Sequence, residues 1–517
     1  MAQKTSAPTV DDIVKVLPDA DPEQVKKVLA LGKKAWPYGF NAHDDLVVLR
    51  ASLEKLFQPG EKGNAGPGGK RYKVAGRLRS KRGSGGIAFL DLEGQDCKIQ
   101  AILDKGEMGN ADFDAVLHLL NEGDWVGVSG YGMRSRRGEP SIGAEKVVLL
   151  AKALLPFPDL GKAENPEIRY GKPYLNLMQG PAQRKVFVER SRITSVLRRT
   201  LEKAGFLEAA IPVLEKVYGG ANAKPFTTHS NAKDANMFLR VSHELALKKL
   251  LVGGLEKVYH IGPAFRNEDI DTTHNPEFTL MECYAAYWDY TDMMRLTQKA
   301  FQDAVKAVHG KLQVERPATA HLPARETIDF ATFHTVTMKD AIRQHGGPDP
   351  DTATDEEILR LLDSHHIVIR GGYTRGLGIA KLFEVFAEPK LIQPTFVIDH
   401  PRETTPLCKQ HRKDPALVER FELFIAGREH ASSYSELNDP YLQAQLFAEQ
   451  EKRRSGGDDE AQPTDWDFID ALKHGMPPAG GLGIGVDRMV MTILDVDSIK
   501  QVLPFPQMKG TGPSTSW

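Results

Sequence analysis

The sequence predicts an α+β protein in which a small five-stranded β-barrel precedes a larger domain of helices and strands. Three observations lead to this prediction. The chain has 517 residues, enough for about three domains of roughly 150 residues each. Residues 70–155 contain short apolar segments separated by glycines, a pattern typical of strands. Residues 185–517 alternate helical and strand patterns without a repeat period.

Composition excludes several classes of protein. No apolar segment approaches the ~20 residues of a membrane-spanning helix, and the N-terminal MAQKTSAPTVDD lacks the pattern of a secretion signal. Cys97, Cys283 and Cys408 are too few for a disulfide framework or a CxxC zinc site. We therefore expect a cytoplasmic protein without a membrane segment. The net charge of −2 indicates no acidic partner, although an average can hide a basic region.

Residues 1–66 are predicted to form a helical N-terminal extension. Asp21 followed by Pro22 is a typical helix start, an apolar stripe follows, and Gly32 supplies the end. The next segment, QPGEKGNAGPGGK, contains too many glycines for the interior of a helix or strand and is predicted to be a loop or linker. These residues indicate no function.

Residues 67–156 are predicted to form an oligonucleotide-binding (OB) barrel. Five strand-like segments, with the helix FDAVLHLL between the third and fourth, suit a small closed barrel. The first strand is basic, since seven Lys or Arg and no acidic residue occur from Lys70 to Arg82. A charge run alone often marks only a solvated face. Three arginines between 134 and 137, and Phe89 for base stacking, favour nucleic-acid binding.

A proline-containing connector, residues 157–184, separates the barrel from the large domain, residues 185–517. In that domain a predicted helix ends at Gly205, and FLEAAIPVL is predicted to be a strand ending at Pro212. No GxxxxGK[ST] loop follows a strand and no GxGxxG opens a helix, so a P-loop or Rossmann nucleotide site is not expected. The segment GLGIG at 481–485 is weak evidence by itself.

Candidate binding residues are concentrated in residues 258–290. A strand predicted to end at Arg266 is followed by a polar loop and by a second strand that begins at Glu277. Period-two alternation puts four residues of this strand on one face: Phe278, Leu280, Glu282 and Tyr284. A carboxylate among large apolar side chains needs a partner, which favours a pocket that receives a cation. A structural salt bridge is the alternative.

A second group of carboxylates lies in residues 420–439. If the hairpin tip is at residues 426–427, Glu422 and Glu429 share a face, a spacing suited to a divalent cation with oxygen ligands. For each glutamate taken alone, a solvated strand face is the alternative.

Two further side chains of this hairpin require an irregular strand. Tyr434 and Glu436 have the opposite parity from Glu429, so a β-bulge near residues 431–433 is needed to bring all of them to one site.

The segment GGLGIGVDRMVM is a third candidate. A glycine-rich strand allows a ligand to approach the backbone closely, and Asp487 is predicted to cap a helix that begins with Arg488. An arginine there can hold a phosphate bidentately. Arg266 and Arg488 together with carboxylates, and without a P-loop, indicate a nucleotide site on an antiparallel sheet.

These segments, in this order, resemble motifs 1, 2 and 3 of the class II aminoacyl-tRNA synthetases, and their details are similar to the lysyl-tRNA synthetases. The resemblance extends from Lys70 to Lys509 and rests on GGANAKPFTTHSNA, AFRNE with THNPEF, YSELNDP, HGMPPAGGLGIGVDRMVM and FPQMK. It implies a catalytic domain on a mixed, mainly antiparallel sheet flanked by helices. It also implies use of ATP, Mg²⁺ and L-lysine, charging of tRNA(Lys), and a homodimer whose interface includes the helix before Pro212.

The resemblance also implies a role for each matching residue. Arg266 and Arg488 would be catalytic, the first at the α-phosphate and the second at adenine or the γ-phosphate. The other residues at ATP would be Glu268, His274 and Phe278, and Mg²⁺ would meet Glu422 and Glu429. L-Lysine would contact Gly220, Glu244, Arg266, Glu282, Tyr284, Ser432, Tyr434 and Glu436. The anticodon would contact Arg77, Phe89, Gln100 and Glu139.

Two positions depart from the family pattern. Thr273 stands where the family usually has an arginine for the γ-phosphate, which would cost about 1.5–3 kcal/mol of ATP binding unless another basic residue substitutes. Asp269 and Asp271 make the same loop more acidic. Ser432 stands where an asparagine usually helps to hold the lysine carboxylate. The two departures together would also suit a divergent paralogue.

Three hypotheses follow from these patterns. The first is ligation of lysine to tRNA. The second is a class II homologue that lysylates a protein or another acceptor, which the barrel argues against. The third is a non-catalytic tRNA-binding homologue, which the presence of both arginines and both metal-type glutamates weakens. An aspartate or asparagine substrate would not suit the pair Glu282 and Glu436.

Overall fold

The computed structural model describes residues 8–41, 44–63, 69–158, 166–316, 326–369, 371–458 and 461–509. The chain divides into two compact units, Met1–Lys185 and Val186–Trp517. None of the helices in the described ranges has the length and apolar composition needed to cross a membrane. Each unit has its own hydrophobic core.

The first unit consists of short helices and a β-barrel. Its helices are α1 (Val10–Val16), α2 (Pro22–Leu31), α3 (Leu46–Leu56), α4 (Lys105–Met108), α5 (Asn110–Leu119), α6 (Pro166–Gly171) and α7 (Pro173–Leu177), with a 3₁₀ turn at Gly32–Ala35. Its strands are β1 (Arg71–Ser84), β2 (Ile87–Glu93), β3 (Lys98–Asp104), β4 (Trp125–Arg134) and β5 (Pro140–Ala151). The predicted helix start is confirmed, because Asp21 accepts a hydrogen bond from the N–H of Glu23. Part of the predicted linker, residues 64–68, lies outside the described residues.

The five strands form a closed barrel in the order β1-β2-β3-β5-β4, with β3 and β5 parallel. Alternate residues such as Val74, Leu90 and Ile99 fill its interior. A bulge at Arg79 bends the long first strand between its two partners. The barrel predicted from the sequence is confirmed, including the helix between the third and fourth strands, which is α5.

The second unit contains one large sheet, two small sheets and flanking helices. Its helices are α8 (Pro181–Lys203), which crosses the division between the units, α9 (Glu244–Val252), α10 (Tyr290–His309), α11 (Met338–Gln344), α12 (Asp355–Ser364), α13 (Arg375–Phe386), α14 (Pro440–Ser455), α15 (Trp466–Lys473) and α16 (Val486–Leu494). Its strands are β6 (Leu207–Glu208), β7 (Leu214–Glu215), β8 (Thr227–Ser230), β9 (Ala235–Leu239), β10 (Lys257–Phe265), β11 (Glu277–Ala286), β12 (Gln313–Arg316), β13 (Glu326–Asp329), β14 (His334–Thr337), β15 (Thr395–Pro401), β16 (Leu417–Ile425), β17 (Arg428–Ser435) and β18 (Ala479–Gly485). Short 3₁₀ turns cover Glu388–Lys390, Arg402–Thr404 and Ile499–Gln501.

The large sheet has eight strands in the order β14-β15-β16-β17-β18-β11-β10-β6. The two outermost pairs, β14 with β15 and β10 with β6, are parallel, and the pairs between them are antiparallel. This is the mixed, mainly antiparallel sheet that the sequence predicts.

The two faces of this sheet differ in chemistry. Alternate residues of the central strands, such as Met281 of β11, Leu423 of β16 and Leu482 of β18, pack with apolar residues of α8, α10 and α16 in the main core. Since side chains alternate along a strand, the residues between them point to the other face. That face carries the candidate binding residues.

The predicted strand FLEAAIPVL is wrong in its extent. Only Leu207–Glu208 pairs with the sheet, and Leu214–Glu215 joins a separate three-stranded sheet. Pro212 lies between them, and proline has no N–H to continue a ladder of hydrogen bonds.

A buried ion pair in the barrel gives a test of this architecture. Lys152 and Asp124 lie 2.8 Å apart with both side chains fully buried. Replacing Lys152 by Met leaves the Asp124 carboxylate buried without its partner, so we expect a loss of about 3–5 kcal/mol in the free energy of unfolding of the barrel. Urea unfolding of the full chain, followed by tryptophan fluorescence and circular dichroism, measures it. Lys105→Met, which breaks a more exposed pair with Asp114, is the control and should change little; equal midpoints for both variants would contradict the expectation.

Candidate active site and nucleic-acid interface

A cavity of approximately 380 Å³ lies on the polar face of the eight-stranded sheet. Every residue of the large domain that the sequence assigns to lysine, ATP or metal lines this cavity, although their roles toward a ligand remain predictions. They are Gly220, Glu244, Arg266, Glu268, His274, Phe278, Glu282, Tyr284, Glu422, Glu429, Ser432, Tyr434, Glu436 and Arg488. The sequence therefore predicts correctly which side chains come together.

Glu282 of β11 is a buried carboxylate surrounded by donors. It accepts hydrogen bonds from the Ser242 hydroxyl (2.7 Å), the His243 N–H (3.1 Å) and the Tyr284 hydroxyl (2.9 Å). Burial, together with the nearby charge of Glu244, raises the pKa of Glu282 to about 7 despite these bonds. Within the described ranges no Lys or Arg forms an ion pair with it, which disfavours the alternative of a structural salt bridge at this position.

Glu244 and Glu436 share a cation from the protein itself. The ammonium group of Lys248, one turn along α9 from Glu244, lies 2.5 Å from Glu244 and also contacts Oε2 of Glu436. The Tyr434 hydroxyl donates to the other oxygen of Glu244 at 2.5 Å. Oε1 of Glu436 is buried, and no donor among the described residues bonds to it. The sequence reasoning missed Lys248, although its i,i+4 spacing from Glu244 was visible.

Two glycines shape this end of the cavity by having no side chain. A Cβ at Gly481 would lie 1.9 Å from Oε1 of Glu436 and 2.5 Å from Tyr284. Gly220 has φ +88°, and a Cβ there would lie 2.8 Å from the Ser242 hydroxyl. The Gly220 N–H donates to Gln462 at 2.9 Å, so Gln462 fixes this loop. Sequence reasoning missed Gln462, which carries no local signal.

The other end of the cavity is built by β10, β11 and the loop between them. The Arg266 guanidinium lies 5.2 Å from the centre of the Phe278 ring. Burial lowers the pKa of Arg266, while Glu268 and Glu429 oppose the change.

Hydrogen bonds inside the loop 267–276 fix its conformation. Asp271 accepts from the N–H groups of Thr273 and His274 and lies 2.8 Å from Nδ1 of His274. These bonds overcome the opposing effect of burial and lower the pKa of Asp271 to about 2. Thr273, the first departure from the family pattern, lines the cavity. Lys509 lies 3.5 Å from Asp269 in the same loop.

Arg488 connects this loop to the hairpin of β16 and β17. It donates to Nε2 of His274 (3.1 Å) and to the carbonyl oxygen of Glu429 (3.0 Å). The predicted cap by Asp487 is wrong, because α16 begins at Val486 and Asp487 lies inside its first turn. The Asp487 carboxylate instead accepts from the Thr279 N–H and from Arg190, which ties α16 to β11 and α8.

The hairpin has the predicted tip at Ala426 and Gly427, both with positive φ. A bulge is present, but it lies at His430, upstream of the predicted range 431–433. Phe424 pairs with Glu429, while Leu423 pairs with Ala431. The extra residue brings Ser432 and Tyr434 to the same face as Glu422 and Glu429, and it directs His430 into the core, where it bonds to Thr492.

Arg420 is a cavity residue that the sequence reasoning missed. It has the same parity as Glu422 and forms an ion pair with that carboxylate. It also donates to the Ser432 hydroxyl at 3.3 Å. A guanidinium therefore stands beside Ser432, the second departure from the family pattern.

The carboxylates at this end fit a hard divalent cation whose shell is completed by a ligand. The described residues contain no cluster of three His, Cys, Asp or Glu arranged to hold a metal by themselves. Two carboxylates, Glu422 and Glu429, suit Mg²⁺ when phosphate oxygens and water supply the other ligands. Burial, followed by the charges of Glu429 and Glu384, raises the pKa of neighbouring Glu388 to about 8.

The barrel carries the predicted anticodon residues on one face. Phe89 and Gln100 share this face through the pairs Phe89 with Ile102 and Asp91 with Gln100. Gln100 is buried and accepts from Ser141 at 3.2 Å, whereas Phe89 is half-buried. Glu139 lies 2.7 Å from Arg50 of α3, so the N-terminal extension positions a residue of this face.

The basic side chains of β1 are less available to a nucleic acid than the sequence indicates, because most of them bond within the protein. Arg79 donates to the Met178 carbonyl, Lys81 to the carbonyls of Leu117 and Leu120, and Arg82 to Asp91. Arg77 donates to the Gly123 carbonyl and lies over the Trp125 ring at 4.8 Å. It pairs with Glu93, four residues along β2 from Phe89. Much of this positive charge therefore holds the barrel together.

Comparison with known proteins identifies relatives of both units. Residues 165–509 match the family described as tRNA synthetases class II (D, K and N), and residues 72–150 match the OB-fold nucleic acid binding domain. The chain is 44% identical to the lysine–tRNA ligase of Sulfolobus acidocaldarius over 437 residues, which cover 84% of this chain and 86% of that protein. It is 42% identical to lysine–tRNA ligase 2 of Methanosarcina mazei over 494 residues, covering 95% and 94%. It is 45% identical to the lysine–tRNA ligase of Lactococcus lactis subsp. cremoris over 440 residues, covering 84% and 87%.

The raised pKa of Glu282 predicts a pH-dependent stability. Its pKa is about 7 in the folded chain and near 4.5 when exposed. Between these values the folded state binds more protons, so the free energy of unfolding falls as pH rises through this window, by up to about 3 kcal/mol. Glu282→Gln should lose this part of the pH dependence. Urea unfolding at pH 5 and pH 8 measures it, with Glu277→Gln at the exposed start of the same strand as control; an unchanged slope would contradict the expectation.

Proposed function

Since the chain belongs to the class II tRNA synthetases, we infer that it is a lysine–tRNA ligase, which activates L-lysine with ATP and transfers it to tRNA. One observation carries this function: a single cavity holds a buried carboxylate pocket at one end and two arginines with metal-type carboxylates at the other. The first end suits a cationic amino acid and the second suits a nucleoside triphosphate. The roles of individual residues below are our proposals.

The lysine side chain fits the buried carboxylates. Its ε-ammonium group would be received by Glu282, Tyr284 and the unbonded Oε1 of Glu436, in the space that Gly481 leaves open. Tyr434 would lie along the alkyl stem. A compact cation on an apolar chain is complementary to such a pocket, because each carboxylate exchanges a buried, costly charge for a charge-assisted hydrogen bond.

The α-amino and carboxylate groups of lysine would lie toward the middle of the cavity. Glu244 and the carbonyl oxygen of Gly220 would accept from the α-ammonium group. Arg266 would hold the carboxylate together with Ser432. Because Arg420 donates to Ser432, we propose that its guanidinium compensates for the missing asparagine at this position.

ATP would bind at the arginine end of the sheet. Phe278 would stack on adenine, and Glu268 and His274 would contact the nucleotide. Arg266 would meet the α-phosphate, and Arg488, held by His274 and the Glu429 carbonyl, would meet the base or the γ-phosphate. With Thr273 in place of an arginine, Lys509 is the cation that we propose for the outer phosphates, because it already lies beside the loop.

Glu422 and Glu429 are the residues that would hold Mg²⁺. When bound with ATP, the ion would withdraw charge from the phosphate oxygens and assist the departure of pyrophosphate.

The protein contributes position and charge to two transfers. An oxygen of the lysine carboxylate attacks the α-phosphorus, the bond to the pyrophosphate oxygen breaks, and lysyl-adenylate forms. A ribose hydroxyl at the 3′ end of tRNA then attacks the lysyl carbonyl, and AMP leaves. Arg266 would hold both the attacking carboxylate and the α-phosphate, so that it acts by orientation and by stabilising negative charge.

The barrel face of Phe89, Gln100 and Glu139 is proposed to read the anticodon of tRNA(Lys). Single-stranded bases bind proteins by stacking on aromatic rings and by hydrogen bonds at their edges. Arg77 of β1 pairs with Glu93, which lies four residues along β2 from Phe89, and would meet a phosphate. The Methanosarcina relative matches 95% of this chain, including the barrel, which supports a tRNA rather than a protein as acceptor and disfavours the paralogue and the non-catalytic homologue.

The oligomeric state and the cellular location are proposed from the family resemblance. The pattern around α8 and Pro212 supports a homodimer, which light scattering would test. Because ATP, lysine and tRNA are present in the cytoplasm, we place the protein there. The domain limits 1–66, 67–156, 157–184 and 185–517 also stay a prediction.

The main test of the reaction is lysine-dependent ATP–pyrophosphate exchange, followed by charging of transcribed tRNA(Lys). Wild-type protein should exchange with lysine but not with aspartate or asparagine. Arg266→Ala should lower exchange by about a thousandfold or more, because it removes charge at the reacting phosphate, while its thermal unfolding stays unchanged. Arg295→Ala, on the exposed side of α10, is the matched control. Normal exchange by Arg266→Ala would overturn the mechanism.

The anticodon proposal has its own test. Phe89→Ala should raise the KM for tRNA about tenfold through loss of a stacking surface and leave ATP–pyrophosphate exchange unchanged. Tyr38→Ala removes a fully exposed aromatic ring of the same unit and serves as control. If both variants charge tRNA like the wild type, the barrel face does not read bases through Phe89.

A further inference from the structure

Lys248 is a fully buried lysine next to the amino-acid end of the cavity. Its side chain is 0% exposed and contacts two carboxylates that line the cavity, Glu244 and Glu436. The rings of Tyr434 and Phe468 lie 5.6 and 5.8 Å from its ammonium group. Its position is therefore fixed by charge and by aromatic packing.

The charges around this end of the cavity are unequal. Three carboxylates contribute to it: Glu244, Glu282 and Glu436. When all three are ionised, Lys248 supplies one positive charge against them, which leaves an excess of two negative charges. Free lysine brings two ammonium groups here, and its carboxylate has a separate partner in Arg266. With Lys248 in place, the pocket and the two ammonium groups balance.

The ion contact of Lys248 distinguishes the two oxygens of Glu436. Oε2 contacts Lys248, whereas Oε1 faces the space beside Gly481 and has no donor among the residues that the structure describes. One internal cation thus holds the carboxylate from one side and leaves the other side for a ligand. Glu282, by contrast, receives only uncharged donors.

We propose that Lys248 is a positioning residue that sets the net charge of the amino-acid pocket, so that the pocket accepts a substrate with two ammonium groups. This inference rests on the proposed function, lysine binding in this cavity. It differs from a purely structural role, in which Lys248 would only stabilise α9 against β17. The two roles predict opposite results when Glu436 is also changed.

A charge cycle separates the two roles. Glu436→Gln leaves two carboxylates and Lys248, an excess of one negative charge, which is too little for two ammonium groups. Lys248→Met together with Glu436→Gln removes one charge of each sign and restores the excess of two. The double variant removes both members of the Lys248–Glu436 contact, which is tolerated better than removing one, and Glu244 keeps the Tyr434 hydroxyl as its donor. Thermal unfolding of each variant checks that it folds.

The experiment measures lysine binding by calorimetry and the KM values of lysine and ATP in pyrophosphate exchange. We expect Glu436→Gln to weaken lysine binding about tenfold or more. The double variant should bind lysine at least about fivefold more tightly than Glu436→Gln alone, although it has lost one more side chain. The KM of ATP should stay within about twofold throughout, because the nucleotide end is unchanged. Lys249→Met with Glu436→Gln is the matched control, since Lys249 is partly exposed and pairs with Asp467; it should bind lysine like Glu436→Gln alone.

The outcomes are distinct. If the double variant binds lysine no better than Glu436→Gln, or if the Lys249 control recovers equally, the charge-setting role of Lys248 is overturned. If wild-type protein neither binds lysine nor exchanges pyrophosphate with it, the proposed function fails instead. Recovery by the double variant alone supports the inference, because a purely structural lysine would give further loss.

Discussion

The site depends on the alternation of side chains across four antiparallel strands. In β11, β18, β17 and β16 one set of residues packs on α8, α10 and α16, and the other set lines the cavity. A slip of one residue in any pairing would move a carboxylate into the apolar core. Packing of the main core therefore fixes the strand register, and the register determines which side chains line the cavity. The bulge at His430 is part of this constraint, since it lets one strand present Glu429, Ser432 and Tyr434 together.

The sequence predicted the parts of this arrangement that local patterns determine. Period two in β11, the two-residue tip of the β16–β17 hairpin and the glycine-separated strands of the barrel are short-range signals, and each is confirmed. The predicted bulge is present, one residue before the predicted range, because the core takes up His430. The predicted role of Asp487 was wrong, because it depends on distant partners, Arg190 and Thr279. Arg420 and Gln462 were missed for the same reason. Their importance arises from what the fold brings beside them.

Buried charge serves two purposes in this molecule. Lys152 and Asp124 in the barrel form an ion pair and also bond to backbone groups. The two charges of this pair therefore balance each other. In the cavity, by contrast, carboxylates outnumber the cations that contact them, and burial raises the pKa of Glu282. An unbalanced buried charge costs stability in the free protein. A bound ligand of opposite charge offsets this cost, so the buried charge contributes to the affinity for such a ligand.

The absence of a side chain at Gly481 limits how this fold can evolve. Since even a methyl group there would collide with Glu436 and Tyr284, a smaller pocket cannot be made by a substitution at that position without displacing both. Substitutions that enlarge the cavity are open instead, by shortening Tyr284 or Tyr434, which line it. Substitution can therefore widen this end of the cavity more readily than it can narrow it at Gly481.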